Sequence, residues 1–238
     1  MGETTVAATG RPEVDTSGLT GLAALIRSGD VSENPATRER SIVIEAPAEN
    51  PERRLVSELH LQPGAAVALE HMHPALDEAF EVIEGGLGWK LDGKTGEAGP
   101  GDVLEIPRGS WHDWWQIGDE PTICRVTVTP GDRFVNLIST LWGVGYDGFT
   151  DDRGAPKVLQ LVAVSREFAD ILVPAKPPAV IQKLAFGLLG PIAERRGYRG
   201  VYPRYAELSF EGTPADVREG RPITPVIGDG AGPPELGR

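Results

Sequence analysis

The feature that most limits the fold is a series of short β-rich runs between Ser41 and Val128, separated by turn signals and uninterrupted by any long helical period. Residues 41–45, 55–61, 66–73, 78–84, 87–91, 101–107, 111–116 and 122–128 are rich in the β-branched, aromatic and alternating apolar residues that suit a pleated, half-buried surface. Pro63-Gly64 marks a reversal, and Asp92-Gly93-Lys94 is a hairpin signal, because Asp and Gly accept the positive φ of a tight turn. About eight strands at this spacing predict an antiparallel sandwich or small barrel rather than a βαβ alternation.

The flanks differ in kind. Residues 1–40 are rich in Gly, Thr, Ser, Pro and charge, with one short helical patch at 19–27, and read as an N-terminal arm. The barrel is expected over 41–132. After Pro130-Gly131 the period changes to that of helices. One is expected over 134–142, ending at Gly143, and a second over 156–172, with Pro156 in its first turn. A third, over 179–196, is strongly apolar, kinked at Gly190-Pro191 and closed by Gly197. The expected architecture is therefore mainly β, with a helical extension over 133–209 and a Pro/Gly-rich tail over 210–238. Tyr198, Tyr202 and Tyr205 read as a packing cap.

Charge and cysteine content narrow the partners. A net charge of -12 opposes binding to nucleic acid or to an anionic membrane, both of which recruit an excess of Lys and Arg. The most apolar stretch, 180–193, is broken by Gln182, Lys183 and Pro191 and is too short to span a bilayer. Met1-Gly2-Glu3-Thr4-Thr5 carries an acid where a secretory leader carries basic residues, so a cytoplasmic protein is expected. Cys124, the single cysteine, excludes a disulfide framework and a thiolate metal site, and within the apolar run 122–128 it reads as a core side chain.

Candidate chemistry concentrates in Glu70-His71-Met72-His73-Pro74-Ala75-Leu76-Asp77-Glu78, which holds two of the four histidines. Side chains at i and i+2 of a strand leave the same face, so His71 and His73 converge while Met72 turns away. A carboxylate arriving from the next strand, Asp77 or Glu78, would add a third donor. A second cluster comprises Gly101, Pro107, Gly109, His112 and Gln116. The same alternation places Val67 and Leu69 with His71, Phe80 and Val82 with Glu78, and Trp114 and Gln116 with His112. These six are the expected substrate-pocket lining. Trp111 and Trp115 fall on the opposite face, and His60 has no assigned role.

Together the two clusters resemble the paired motifs of the cupin superfamily. The first motif is matched by His71, His73, Glu78 and Gly85, the second by Gly101, Pro107, Gly109 and His112. The leading glycine, Gly64, lies one residue further from His71 than in the usual pattern, and Gln116 stands where the family usually has Asn. The resemblance covers about residues 53–130 and implies a jelly-roll barrel. It further implies a metal held by His71, His73, Glu78 and His112 with open coordination positions, and the spacing to Gly85 favours Glu78 over Asp77.

Imidazole and carboxylate donors suit one divalent transition metal ion: Fe, Mn, Ni, Cu or Zn. The expected activity is that of a mononuclear metal-dependent, dioxygenase-like enzyme acting on a small aromatic or enol-type molecule. The resemblance suggests that Glu78 also serves as a catalytic proton acceptor. A non-redox isomerase, cyclase or lyase uses the same ligands, and a barrel that binds a small molecule without transforming it is the other alternative. A homodimer is expected, with no nucleic-acid or membrane partner.

Overall fold

In a computed structural model, residues 14–67, 69–151 and 153–234 are described. The first part of the expected arm and the last residues of the expected tail lie outside them.

The chain enters through α1 (Leu22–Leu25), then forms β1 (Val31–Asn34), β2 (Glu39–Glu45) and β3 (Leu55–Leu61). The histidine-rich segment supplies β4 (His71–Met72), followed by β5 (Asp77–Glu84), β6 (Gly86–Leu91), β7 (Lys94–Ala98), β8 (Val103–Ile106), β9 (Trp111–Ile117) and β10 (Thr122–Thr129). Next come α2 (Asp132–Tyr146), α3 (Val158–Glu167), β11 (Val173–Pro174) and α4 (Ala179–Arg195). The chain closes with β12 (Ser209–Glu211), α5 (Pro214–Arg218) and β13 (Thr224–Val226).

Two antiparallel sheets face one another. One has the order β1-β2-β3-β10-β5-β8 and the other β11-β4-β9-β6-β7, with β12-β13 as a separate ribbon. The sheets share no strand, so the expected barrel is an open jelly roll. Between them Leu59, Leu61, Phe80, Val82, Leu87, Ile106, Trp114 and Cys124 form the main core. Fully burying an aromatic or branched side chain of this kind stabilises the fold by about 1.5–3 kcal/mol. Cys124 is wholly buried there, and burial pushes its thiol up to about 12, as befits a packing residue.

Local chemistry explains the reversals. Asp92 and Gly93 both take positive φ between β6 and β7, the conformation a two-residue hairpin demands. Gly85, also at positive φ, joins β5 to β6 where a Cβ would meet the Pro121 carbonyl oxygen at 2.7 Å. Trp115, outside the core as its parity predicts, lies flat over Gly88 of the neighbouring strand.

Several boundaries depart from expectation. The run 66–73 is mostly irregular, with only His71–Met72 as strand and an isolated bridge at Ala66. β2 begins two residues before Ser41, which brings Glu39 onto the inner face. α4 runs continuously from Ala179 to Arg195 with Pro191 inside it. Neither flank is loose where it is described: Ala23 of α1 is fully buried in the main core. From the expected tail, Val217 and Ile223 pack on Val31 and Ile42. Arg218 bonds both carboxylate oxygens of Glu58 at 2.9 and 3.0 Å, which holds that carboxyl down to about 2. His60, on the same outer surface, bonds Glu58 at 2.8 Å and takes no part in the inner site. Tyr198, Tyr202 and Tyr205 form a buried cluster with Val144, Phe149 and Ala193, the packing cap their composition suggested.

No helix among the described residues is long and apolar enough to cross a membrane.

Candidate metal centre

β4 and β9 are antiparallel neighbours in which His71 is paired directly with His112. Cross-strand partners point to the same face, and His73 follows two residues beyond His71, so three imidazoles meet at one place. Their ligand nitrogens all lie within 4.8 Å of one another, and all three side chains are buried. Glu78, at the start of β5 in the facing sheet, closes the group: its Oε2 is 3.2 Å from His112 Nε2 and 3.7 Å from His73 Nε2.

The other ring nitrogens fix the chemistry. His71 Nδ1 lies 2.9 Å from the Leu69 carbonyl oxygen, His73 Nδ1 2.6 Å from that of Ile171, and His112 Nδ1 3.1 Å from that of Ser110. A carbonyl oxygen only accepts, so each Nδ1 carries a proton and donates it. In its neutral form each ring then turns an Nε2 lone pair inward. His71 Nε2 and His73 Nε2 stand 3.2 Å apart, two acceptors face to face. Glu78 Oε2 and His112 Nε2 are buried with no hydrogen-bond partner among the described residues.

The facing His71 and His73 lone pairs repel one another unless a cation sits between them, and the Glu78 carboxylate beside them favours positive charge at the same place. Two ligand atoms each about 2.0–2.2 Å from one ion sit roughly 3.0–3.5 Å apart, and the observed 3.2 Å separations fall in that range. Backbone carbonyls that orient metal-binding imidazoles are the usual outer shell of such centres. The donor set and its unpartnered atoms fit a transition-metal ion.

The shifts of His71 and His73 favour the neutral ring, and that of His112 runs the other way. Burial and the neighbouring His112 and His73 hold His71 well below the usual imidazole range. Burial also lowers His73, against the opposing pull of Glu78. Burial works the same way on His112, but there the Glu78 carboxylate outweighs it and the net shift is upward. Asp77, the rival carboxylate, points away and pairs with Arg108 at the surface.

Beside the centre opens a cavity of about 660 Å³. His71, His73, Glu78, Val67, Leu69, Phe80 and Trp114 line it, which brings together four of the six expected pocket residues. Val82 and Gln116 are not among the lining residues. Val82 is sealed in the core. The Gln116 amide is consumed by a turn: Oε1 accepts from Gly64 N–H at 3.0 Å, and Nε2 donates to the carbonyls of Ile117, Gly118 and Glu120. Three participants were absent from the sequence-based expectation. Phe134 of α2 stands edge-on to His73 with ring centroids 5.8 Å apart, Ile171 supplies its carbonyl, and Glu39 lines the cavity from β2.

Residues 57–132 match the cupin domain family, so the chain carries a cupin domain with helices after it. Among solved structures, a sugar phosphate isomerase from a cupin superfamily of Silicibacter pomeroyi is 27% identical with a TM-score of 0.36, over 50% of this chain and 75% of that one. A putative sugar phosphate isomerase from Acidithiobacillus ferrooxidans is 20% identical with a TM-score of 0.36, over 48% of this chain and 77% of that one. An uncharacterized protein with a double-stranded β-helix domain from Klebsiella pneumoniae is 24% identical with a TM-score of 0.35, over 42% of this chain and 83% of that one. No curated protein matches.

Proposed function

We propose that this cupin is a mononuclear metal-dependent oxygenase acting on a small aromatic or enol-type molecule. The observation that carries the reading is the set of inward lone pairs on His71, His73 and His112, with the unpartnered Glu78 Oε2, at the edge of a largely apolar cavity. His71, His73, Glu78 and His112 would hold Fe, Mn, Ni, Cu or Zn. A divalent ion there would supply Lewis acidity toward a substrate oxygen and, if redox-active, access to dioxygen chemistry.

The chain's own residues do the rest. Phe80, Trp114, Val67 and Leu69 give an apolar wall that orients a planar substrate and keeps water from the reacting end. Phe134 holds the His73 ring edge-on. Glu78, whose Oε2 has no hydrogen-bond partner by geometry among the described residues, would take a proton from an enolisable substrate. The sugar phosphate isomerase activity in the names of two similar structures is not carried over, because the described residues lining this cavity include no Lys or Arg to receive a phosphate. We further propose a cytoplasmic homodimer with no nucleic-acid or membrane partner, testable by sedimentation of the purified chain.

Elemental analysis of the purified chain, followed by oxygen uptake with a panel of phenols and β-diketones, tests the function. About one transition-metal ion per chain and substrate-dependent oxygen consumption are expected. Substrate turnover without oxygen uptake would transfer the reading to a non-redox isomerase, cyclase or lyase. Ligand binding without turnover would leave a binding module.

A further inference from the structure

The cavity has two chemically different ends. One is the histidine-lined end; the middle is apolar, with Leu55, Val126 and Val128 among its walls. The other end is polar and comes from β2 and its neighbours. Glu39 and Ser41 share a face two residues apart, Ser57 belongs to the adjacent β3, and Thr37 precedes β2. Glu39 and Thr37 are 9% and 8% exposed, so both are more than nine-tenths buried, and the Thr37 hydroxyl has no hydrogen-bond partner among the described residues apart from the neighbouring Glu39 carboxyl.

A buried carboxyl and a buried hydroxyl with only each other as partner leave polar capacity unmet, which is costly unless something else uses it. Packing alone would favour an apolar residue at position 39, whose strand companions Val43 and Leu61 are aliphatic. No Lys or Arg lines the cavity among the described residues, so no cation answers this acid. An anionic group brought to this end would meet carboxyls and hydroxyls without a counter-charge.

We infer that Glu39 and Thr37 form a second polar anchor, which hydrogen-bonds an uncharged hydroxyl or carbonyl at the far end of the ligand and rejects phosphorylated or carboxylated versions of it. Burial, partly offset by the neighbouring Thr37 hydroxyl and reinforced by the charge of Glu78, raises the Glu39 carboxyl to about 8. Near neutral pH it is therefore a neutral acid, able to donate as well as accept. The inference deepens the proposed function and rests on it for the near end of the ligand.

Three probes differing only at the far end test it: 1-phenylbutane-1,3-dione, its 4-hydroxyphenyl analogue and the phosphate ester of that phenol. Each is titrated calorimetrically into the full-length, metal-loaded chain. The phenol is expected to bind about tenfold tighter than the phenyl compound, and the phosphate ester at least about tenfold weaker than the phenol. Glu39→Leu should erase the preference for the phenol while leaving the phenyl compound unchanged, and Glu39→Gln should retain most of it. An equal phenol-to-phenyl ratio in wild type and Glu39→Leu, tight binding of the phosphate ester, or no binding of any probe would overturn the inference. Failure of the metal reading shows separately, as a purified wild-type chain without metal, and the phenol-to-phenyl ratio can then still be read on the metal-free chain.

Discussion

His73 Nδ1 donates to the main-chain carbonyl of Ile171 at 2.6 Å, across 98 residues of sequence. This bond ties the candidate metal centre to the helical extension, because Ile171 lies in the turn after α3 and β11 then pairs with β4, Pro174 opposite His71. The extension therefore helps to build the site as well as covering the sheets. A ring held at Nδ1 by a backbone acceptor has its tautomer and direction set before metal arrives.

The turn carrying Ile171 is held by Phe168, whose carbonyl accepts from Ile171 and Leu172 and whose ring is fully buried beneath the Arg133 guanidinium. Phe168→Leu should cost about 1–2 kcal/mol of stability and lower metal affinity about tenfold by loosening the carbonyl behind His73. Chelator competition on the variant checks this. A lower melting temperature with unchanged metal affinity would mean that the turn supports the fold and leaves the ligand alone.

The four candidate ligands should behave differently from their neighbour Asp77. His71→Ala and His112→Ala should each leave the purified chain with less than about one-tenth of the wild-type metal content, because the remaining donors cannot complete the shell. Asp77→Asn breaks only an exposed pair with Arg108, worth at most about 1 kcal/mol, and should retain full metal content. Metal should also raise the melting temperature of the wild type and of Asp77→Asn, but not of His112→Ala, since binding to the native state alone adds stability by mass action. Equal metal content across all four proteins would overturn the assignment.

Gln116 should act on stability alone. Its amide makes four bonds that hold the Gly64 turn and the turn after β9, and it is buried. Gln116→Ala strands those partners and should cost about 2–3 kcal/mol with no change in metal or probe affinity. Urea denaturation beside a metal titration separates the two effects.

What could be read from the sequence follows which signals are local. The convergence of His71 and His73 and the burial of Phe80 and Trp114 follow from local alternation, and the hairpin at Asp92-Gly93 from residues that accept positive φ; each is seen in the fold. The same parity put Val82 and Gln116 on the inner face, but it says nothing of how far the cavity reaches, and neither residue lines it. The Ile171 carbonyl left no trace, because a backbone acceptor has no residue signature. Glu39 was one strand boundary away: extending the strand at Ser41 back by two residues puts it on the inner face with Ser41 and Val43. The described part of the tail looked loose by composition, yet Val217, Ile223 and Arg218 find partners that only the folded sheet assembles.

Glu39 also makes a prediction about stability and pH. Its carboxyl is raised from an ordinary 4.5 to about 8 by burial first, against the Thr37 hydroxyl and with help from Glu78. The folded state thus keeps a proton that the unfolded chain gives up above 4.5. Stability is complete below that value and falls as pH rises toward 8, beyond which both states are ionised and the loss stops growing. Glu39→Gln removes the titration, so the variant should match the wild type near pH 4.5 and exceed it increasingly up to pH 8, by on the order of 2–4 kcal/mol at pH 7. Urea midpoints of metal-free wild type and variant at pH 5, 6.5 and 8 measure the gap. A gap that stays constant over that range would show that Glu39 is ionised in the folded chain, and that the polar end of the cavity is solvated by water rather than held for a ligand.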